Sequence, residues 1–244
     1  MGEKNVSPKV IGILGGMGPE ATADLFYKII KATPAKEDQD HPKVLIYSNP
    51  QIPDRTTAIL GGGKDLLPPL IESAKLLQRA GANFLVIPCI TVHHFYRELR
   101  AAVNLPILHI IWETAAYVRE KYPNLKRIGL LATTGTLRTR LFEREFEPIG
   151  IDLLIPLPEL QEALVMEAIY GKGGIKGGVT GGRPRELILE ASRHLMGQGA
   201  EAVVAGCTEV PLVIKDGDLP VPVIDPTWIL AQVAVKKAFN LGDY

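Results

Sequence analysis

Near-continuous runs of Val, Ile and Leu recur along this chain at strand length, without the polar alternation of a half-exposed strand. The first series reads "KVIGIL" (9–14), "KVLIYS" (43–48), "NFLVIP" (83–88) and "PILHI" (106–110). The second reads "RIGLLA" (127–132), "IDLLIP" (151–156), "EAVVAG" (201–206) and "VPVID" (221–225). Strands covered on both faces have no reason to alternate, so the runs point to central strands of parallel sheets. Helical patterns such as "PEATADLFYKIIKAT" and "LLPPLIESAKLLQRAG" lie between them. Strand and helix in alternation predict an α/β fold with doubly wound, mostly parallel sheets.

The two series share one order. "VIGILGGMGPEATADLF" (10–26) is echoed in "RIGLLATTGTLRTRLF" (127–142), and "GANFLVIPCIT" (81–91) in "GAEAVVAGCTE" (199–209). Gly12 and Gly129 are 117 residues apart, as are Gly18 and Gly135, while Cys89 and Cys207 are 118 apart. Landmarks at nearly one offset indicate an internal duplication. The expected architecture is two similar lobes related by a pseudo-twofold axis, residues 1–112 carrying Cys89 and residues 113–214 carrying Cys207. The last strand and helix, within 215–244, are expected to return and complete the first lobe.

Composition narrows the function classes. The 244 residues are 46% hydrophobic, and 27 Lys and Arg balance 27 Asp and Glu. A net charge of zero leaves no electrostatic footprint for nucleic acid or an anionic membrane. The apolar stretches fall far short of the ~20 residues a membrane helix needs. The start, "MGEKNVSPK", lacks the apolar region of a signal peptide. Two cysteines cannot make a disulfide framework, so a reducing cytoplasm is the expected setting and a small molecule the expected partner.

"GILGGMGPEA" follows a strand and opens a helix, where a phosphate loop would stand. Its glycines at 12, 15, 16 and 18 miss the G-x-G-x-x-G spacing, and the second strand ends "IYSNP" without the acid a ribose requires. "GGGKD" (61–65) lacks the Ser/Thr and spacing of a Walker loop. What remains is general: N–H groups at a helix start favour an anion, and a carboxylate serves as well as a phosphate. The matching turn "ATTGT" (132–136) adds hydroxyls, and one such turn per lobe would face a shared cleft.

Both cysteines end a strand run, where ligands bind in open parallel sheets. Thiols from two related lobes would confront each other across the cleft, one taking a proton from a carbon and the other delivering one to the opposite face. Free cysteine at about 8.5 is only a few per cent thiolate at neutral pH, and a helix N-terminus would lower that value. Three other readings stand beside this one. Either cysteine can be a buried small hydrophobe. The two can form a disulfide, which a reducing compartment disfavours. Cys89, His93 and Cys207 can hold zinc, if His94, Glu209 or water supplies the fourth ligand.

Taken together, "GILGGMGPEATA", "NPQIPDRT", "PCITVHHF", "LLATTGT", "AIYGKGGIKGG" and "AGCTEVP" resemble the PLP-independent aspartate/glutamate racemases, and within them the aspartate racemases. The motifs run from near residue 10 to residue 211. The resemblance implies two α/β domains with the site between them, a homodimer, and catalysis without cofactor or metal by Cys89 and Cys207. It implies that Arg55 grips the substrate's side-chain carboxylate and that Lys176 shares the task. Thr91, Thr133, Thr134 and Thr136 match positions around the α-carboxylate and amino group, and Gly16, Met17 and Thr208 complete the expected substrate-binding set. The planar fork of Arg55 independently suits a carboxylate. The glycine-rich run around Lys176 reads either as a lid bringing charge over a ligand or as a surface loop.

One residue departs from the pattern. The family motif reads Cys-Asn-Thr where this chain has Cys89-Ile90-Thr91. Isoleucine cannot replace an amide's hydrogen bonds, so Ile90 is expected to mark a different or broader substrate. His93 and His94 are read as structural or supporting groups. The leading expectation is an aspartate racemase. Isomerisation or decarboxylation of a small diacid on the same scaffold, and a binding protein without catalysis, are the alternatives.

Overall fold

The protein, as a computed structural model, is described for residues 8–241. Most of the polar N-terminal stretch considered above, residues 1–7, lies outside the described residues, as do 242–244. Seven of the eight apolar runs form strands: β1 (Ile11–Gly15), β2 (Val44–Ser48), β3 (Phe84–Val86), β4 (Arg127–Leu130), β5 (Asp152–Leu154), β6 (Ala202–Val204) and β7 (Val223–Ile224). They make two wholly parallel sheets, ordered β2-β1-β3 and β5-β4-β6-β7.

The eighth run, 106–110, touches the first sheet at a single point. Ile107 bridges Leu85 in parallel, with the Leu85 N–H donating to Pro106 O and the Leu108 N–H to Leu85 O, both at 2.9 Å. Pro106 has no N–H for a ladder, and His109 already caps the helix Ile110–Lys121. With that bridge counted, both sheets run second-first-third-fourth, the duplication expressed as topology.

The expectation of strands covered on both faces holds for β1, β3, β4 and β6. It fails for β2 and β5, each at one edge of its sheet, where every residue is exposed or only partly buried. Side chains on one face of each sheet enter a common core: Ile11, Ile13, Phe84 and Val86 from the first meet Ile128, Leu130, Ala202 and Val204 from the second. The opposite faces pack separately. Leu85 and Ile87 meet Leu70 and Leu77 of the helix Leu67–Arg79, and Val203 and Ala205 meet Ile188 and Leu195 of the helix Gly182–Gly197. Each Val, Leu, Ile or Phe side chain among them contributes about 1.5–3 kcal/mol when fully buried. A shared core therefore joins the two lobes into one body.

The Gly-Ala pair at the head of each cysteine segment has a packing reason. Both helices, Leu67–Arg79 and Gly182–Gly197, end in the same motif, with Gly81 and Gly199 left-handed at φ 97° and 96°. The following alanines return N–H bonds to Leu77 and Leu195, closing a Schellman turn. Ala82 and Ala200 then press against the strand glycines. A Cβ on Gly12 would stand 2.8 Å from Ala82 Cβ, and one on Gly129 3.3 Å from Ala200 Cβ.

The C-terminal segment divides between the lobes. Strand β7 joins β6 in the second sheet, so it does not complete the first. The helix Pro226–Phe239 that follows packs on the helices Pro19–Ala32 and Ile110–Lys121. Asp225 caps that helix by accepting from the N–H groups of Thr227 and Trp228. Lys28 of the helix Pro19–Ala32 binds Asp225 at 2.6 Å and also pairs with Asp24. Among the described residues no helix is long and apolar enough to cross a membrane.

Candidate active site

Each cysteine follows a buried strand. Beyond β3 the chain tightens, the Cys89 N–H donating to Ile87 O at 2.9 Å, and enters the 3-10 turn Thr91–Phe95. Beyond β6 the Gly206 N–H donates to Val204 O at 2.9 Å, and the short 3-10 turn Val210–Leu212 comes after Cys207. The two loops touch directly: the Thr208 hydroxyl donates to Pro88 O at 3.1 Å, between the residues adjoining the two cysteines. Both thiols are free, and each cysteine is 5% exposed.

Two cations from different lobes converge beside these loops. Arg55 opens the helix Arg55–Ile59, whose cap Asp54 accepts from the Thr57 N–H. Its Nη2 donates to Met17 O at 2.9 Å, while Nη1 reaches Pro53 O at 3.2 Å and Ile52 O at 3.4 Å. Lys176 comes from the glycine-rich segment, at the 3-10 turn Ile175–Gly177, and donates to the same Met17 carbonyl at 3.4 Å. That segment is seated by Ile175, buried in the second lobe's core. The main partner of Lys176 is Glu209, Nζ to Oε1 at 2.7 Å. The other carboxylate oxygen of Glu209 accepts the Cys207 S–H at 2.9 Å. A chain of contacts thus runs Arg55, Met17 carbonyl, Lys176, Glu209, Cys207.

The thiol environment differs from the expected one. No α-helix begins at Cys207, and a three-residue 3-10 turn supplies little dipole. Burial first, and then the Glu209 carboxylate, push the Cys207 thiol well above the ordinary range, with Lys176 opposing. Burial works most strongly against the charge of Lys176, but Glu209 together with the two nearby cysteines outweighs it and holds the ammonium above its usual value.

The hydroxyl cluster spans the lobes. Thr91 Oγ1 lies 2.8 Å from Thr136 Oγ1 and 3.2 Å from Thr133 Oγ1, and the latter two are 3.2 Å apart. Thr134 turns elsewhere, donating to Glu162 Oε1 at 2.7 Å. Gly16 makes the left-handed turn (φ 94°) beneath the site, and its N–H is taken by Thr22 Oγ1 at 2.9 Å. Met17 contributes its carbonyl, while its side chain is buried in the first lobe. Ile90 packs in the core shared by the lobes.

His93 supports the Cys89 loop. Its Nδ1 lies 2.8 Å from Cys89 O, a pure acceptor, so Nδ1 carries the proton. Burial lowers it to about 4, and His109, edge-on at 4.7 Å, is lowered by burial and by His93 to about 3. Both rings are neutral. Among the described residues no group of three or more His, Cys, Asp or Glu side chains is placed to hold a metal ion.

Sequence reasoning weighed Glu209 as a zinc ligand and as part of the motif "AGCTEVP", gave it no acid–base role, and did not single out Tyr170 or Asp54. Glu209 had a signal in its place two residues after Cys207. Tyr170, whose hydroxyl donates to Asp54 Oδ2 at 2.9 Å and whose ring lies 5.5 Å from Lys176 Nζ, had none, because its partner is 116 residues away. A separate cavity of about 730 Å³, lined by Glu113, Tyr117, Gln232 and Lys237 among others, lies along the helices Ile110–Lys121 and Pro226–Phe239 and includes neither cysteine.

Comparison with known proteins gives a consistent picture. The family model described as Asp/Glu/Hydantoin racemase matches residues 14–234. A broad specificity amino-acid racemase of Bacillus subtilis (strain 168) is 28% identical over 235 residues, covering 93% of this chain and 97% of the relative. The aspartate racemase of Picrophilus torridus superposes with a TM-score of 0.83 at 26% identity, over 94% of each chain. Glutamate racemase from Francisella tularensis, solved with D-glutamate, shares the fold, with a TM-score of 0.67 at 16% identity over 96% of this chain and 82% of its own.

Proposed function

The chain belongs to the Asp/Glu/hydantoin racemase family, and on that premise we propose that it racemises an amino acid without cofactor, moving protons with Cys89 and Cys207, and that aspartate is its substrate. The observation that carries this reading is the convergence of Arg55 and Lys176 on one carbonyl, beside two touching cysteine loops. Two fixed cations suit an amino diacid. A substrate carboxylate would take the place of the Met17 carbonyl as acceptor, with the guanidinium binding it through two parallel N–H bonds. Lys176 would exchange Glu209 for the ligand, closing its segment over the site.

The chemistry then needs two protons and no other reagent. One thiolate takes the α-proton while the other thiol delivers its proton to the opposite face of the carbon. Arg55 and Lys176 stabilise the negative charge that develops between these events, in a buried setting where such charges act strongly. The Asp/Glu chemistry named for the family and the aspartate racemase of Picrophilus torridus both support an acidic substrate. A second reading, broader specificity, draws on Ile90, which offers no polar group, and on the broad specificity of the Bacillus subtilis relative. The sparse cysteines favour the cytoplasm and the resemblance a homodimer, and the protein is proposed to act as such there.

Proton NMR of L-aspartate with the reduced protein in D₂O, with chiral analysis of the same sample, tests the reading. Loss of the α-proton signal together with D-aspartate is the expected result, and Cys89→Ala and Cys207→Ala should each abolish it. Racemisation of other amino acids but not aspartate would leave only the broader reading. No exchange with any amino acid, the thiols being titrated as free, would end the racemase proposal; retained diacid affinity in that case would indicate a binding protein.

A further inference from the structure

The two cysteines occupy equivalent sequence positions and are equally buried, yet their charged neighbours differ in sign. Cys89 stands beside the Arg55 guanidinium, whose buried Nε–H has no hydrogen-bond partner among the described residues. Cys207 donates its S–H to the Glu209 carboxylate at 2.9 Å. Lys176 is near both thiols, but its closest contact is Glu209 at 2.7 Å, which offsets the charge Cys207 would otherwise feel. The Tyr170 phenol, held neutral by burial, is also near Cys207.

We propose that Glu209 is a positioning residue that keeps the proton of the resting enzyme on Cys207, so that the catalytic pair is poised in one sense, with Cys89 as the base. A thiolate at Cys207 would lie against a buried carboxylate already paired with Lys176. A thiolate at Cys89 would lie against a guanidinium with an unused N–H. The charges beside the two thiols therefore break the symmetry that the duplication created. The shift of the Cys207 thiol described above acts in the same direction.

The catalytic consequence rests on the racemase reading. The free enzyme takes first the enantiomer whose α-hydrogen faces Cys89. Cys89 sulfur accepts that proton, Cys207 gives its own to the opposite face, and the pair is left reversed. One proton must then pass from Cys89 to Cys207, by way of solvent, before the next turnover in the same direction. No other reagent is consumed.

The asymmetry itself is measurable without substrate, by peptide mapping of iodoacetamide alkylation at each cysteine across pH 6–10. Alkylation follows the thiolate, and equal burial removes access as the discriminator. At pH 7 Cys89 should react at least about tenfold faster than Cys207. Glu209→Gln should raise the Cys207 rate to within about threefold of Cys89 and move its pH profile downward. Lys176→Met should slow Cys207 further, opposite to the general acceleration that a loosened structure would cause at both sites. Equal wild-type rates, a faster Cys207, or a Cys207 profile unmoved by folded Glu209→Gln would overturn the proposal. The wild-type ratio decides the matter even if a variant does not fold. A protein with this ratio but no racemisation would refute the proposed function alone, and racemisation with equal thiols would refute this inference alone.

Discussion

Arg55→Lys keeps a positive charge at the site and removes its fork, so it isolates what the geometry of the guanidinium contributes. Arg55 is 7% exposed and donates to three carbonyls, of Met17, Ile52 and Pro53. An ammonium is a point charge on a different stem and cannot present two parallel N–H bonds to the carboxylate that displaces the Met17 carbonyl. Losing one charge-assisted hydrogen bond to the substrate costs about 1.5–3 kcal/mol, and the displaced second contact brings the expected loss to about 2–4 kcal/mol. At 1.36 kcal/mol per decade, kcat/KM should fall about thirty- to a thousandfold. The Met17 carbonyl would also lose a donor, at about 1–3 kcal/mol, and the melting temperature should drop by roughly 2–10 °C. Circular dichroism of aspartate reports the rates from both enantiomers. Since the equilibrium constant of a racemisation is unity, kcat/KM must fall equally in both directions. A variant that melts lower but keeps kcat/KM within about threefold would show that Arg55 ties down the glycine turn and does not anchor the substrate.

Two further predictions concern the scaffold. Gly12→Ala places a Cβ 2.7 Å from Leu85 Cδ2 and 2.8 Å from Ala82 Cβ, whereas the equivalent Gly129→Ala meets nothing closer than 3.0 Å. Overpacking of this kind costs about 1–3 kcal/mol, so urea melts should show both variants destabilised and Gly12→Ala the more so; the reverse order would refute the packing argument. The buried neutral histidines give a pH dependence of known sign. Unfolded, each takes up a proton near 6.5, whereas folded His93 and His109 resist until about 4 and about 3. The unfolded state therefore binds more protons in that window, so stability is full above about pH 7 and declines as pH falls, by up to about 1.4 kcal/mol per pH unit for each histidine. Denaturant melts at pH 7, 6 and 5 should show this decline, and His93→Gln should flatten it; an unchanged slope would mean that His93 is charged in the folded protein.

What the sequence determined by itself was everything written in local pattern. Uninterrupted Val, Ile and Leu runs identified seven strands, because burial on both faces of a sheet removes the need for polar alternation in all but the edge strands β2 and β5. The repeated glycines and the Gly-Ala-to-cysteine segments disclosed the duplication, because each lobe needs a left-handed turn and a small residue against its first strand. The motifs around Arg55, Cys89, Lys176 and Cys207 pointed to the family. Edge exposure of β2 and β5, and the reduction of 106–110 to one bridge, depended on strand order and on where a helix cap falls.

Tertiary structure alone decided how the site residues meet. Arg55 and Lys176 share the Met17 carbonyl across 38 and 159 residues of chain, and Tyr170 reaches Asp54 across 116. No local periodicity encodes such distances; they follow from packing two sheets onto one core. The same packing made the two cysteines unequal. Their segments read as copies, but electrostatics is set by neighbours in space, and there one copy faces a guanidinium and the other a carboxylate.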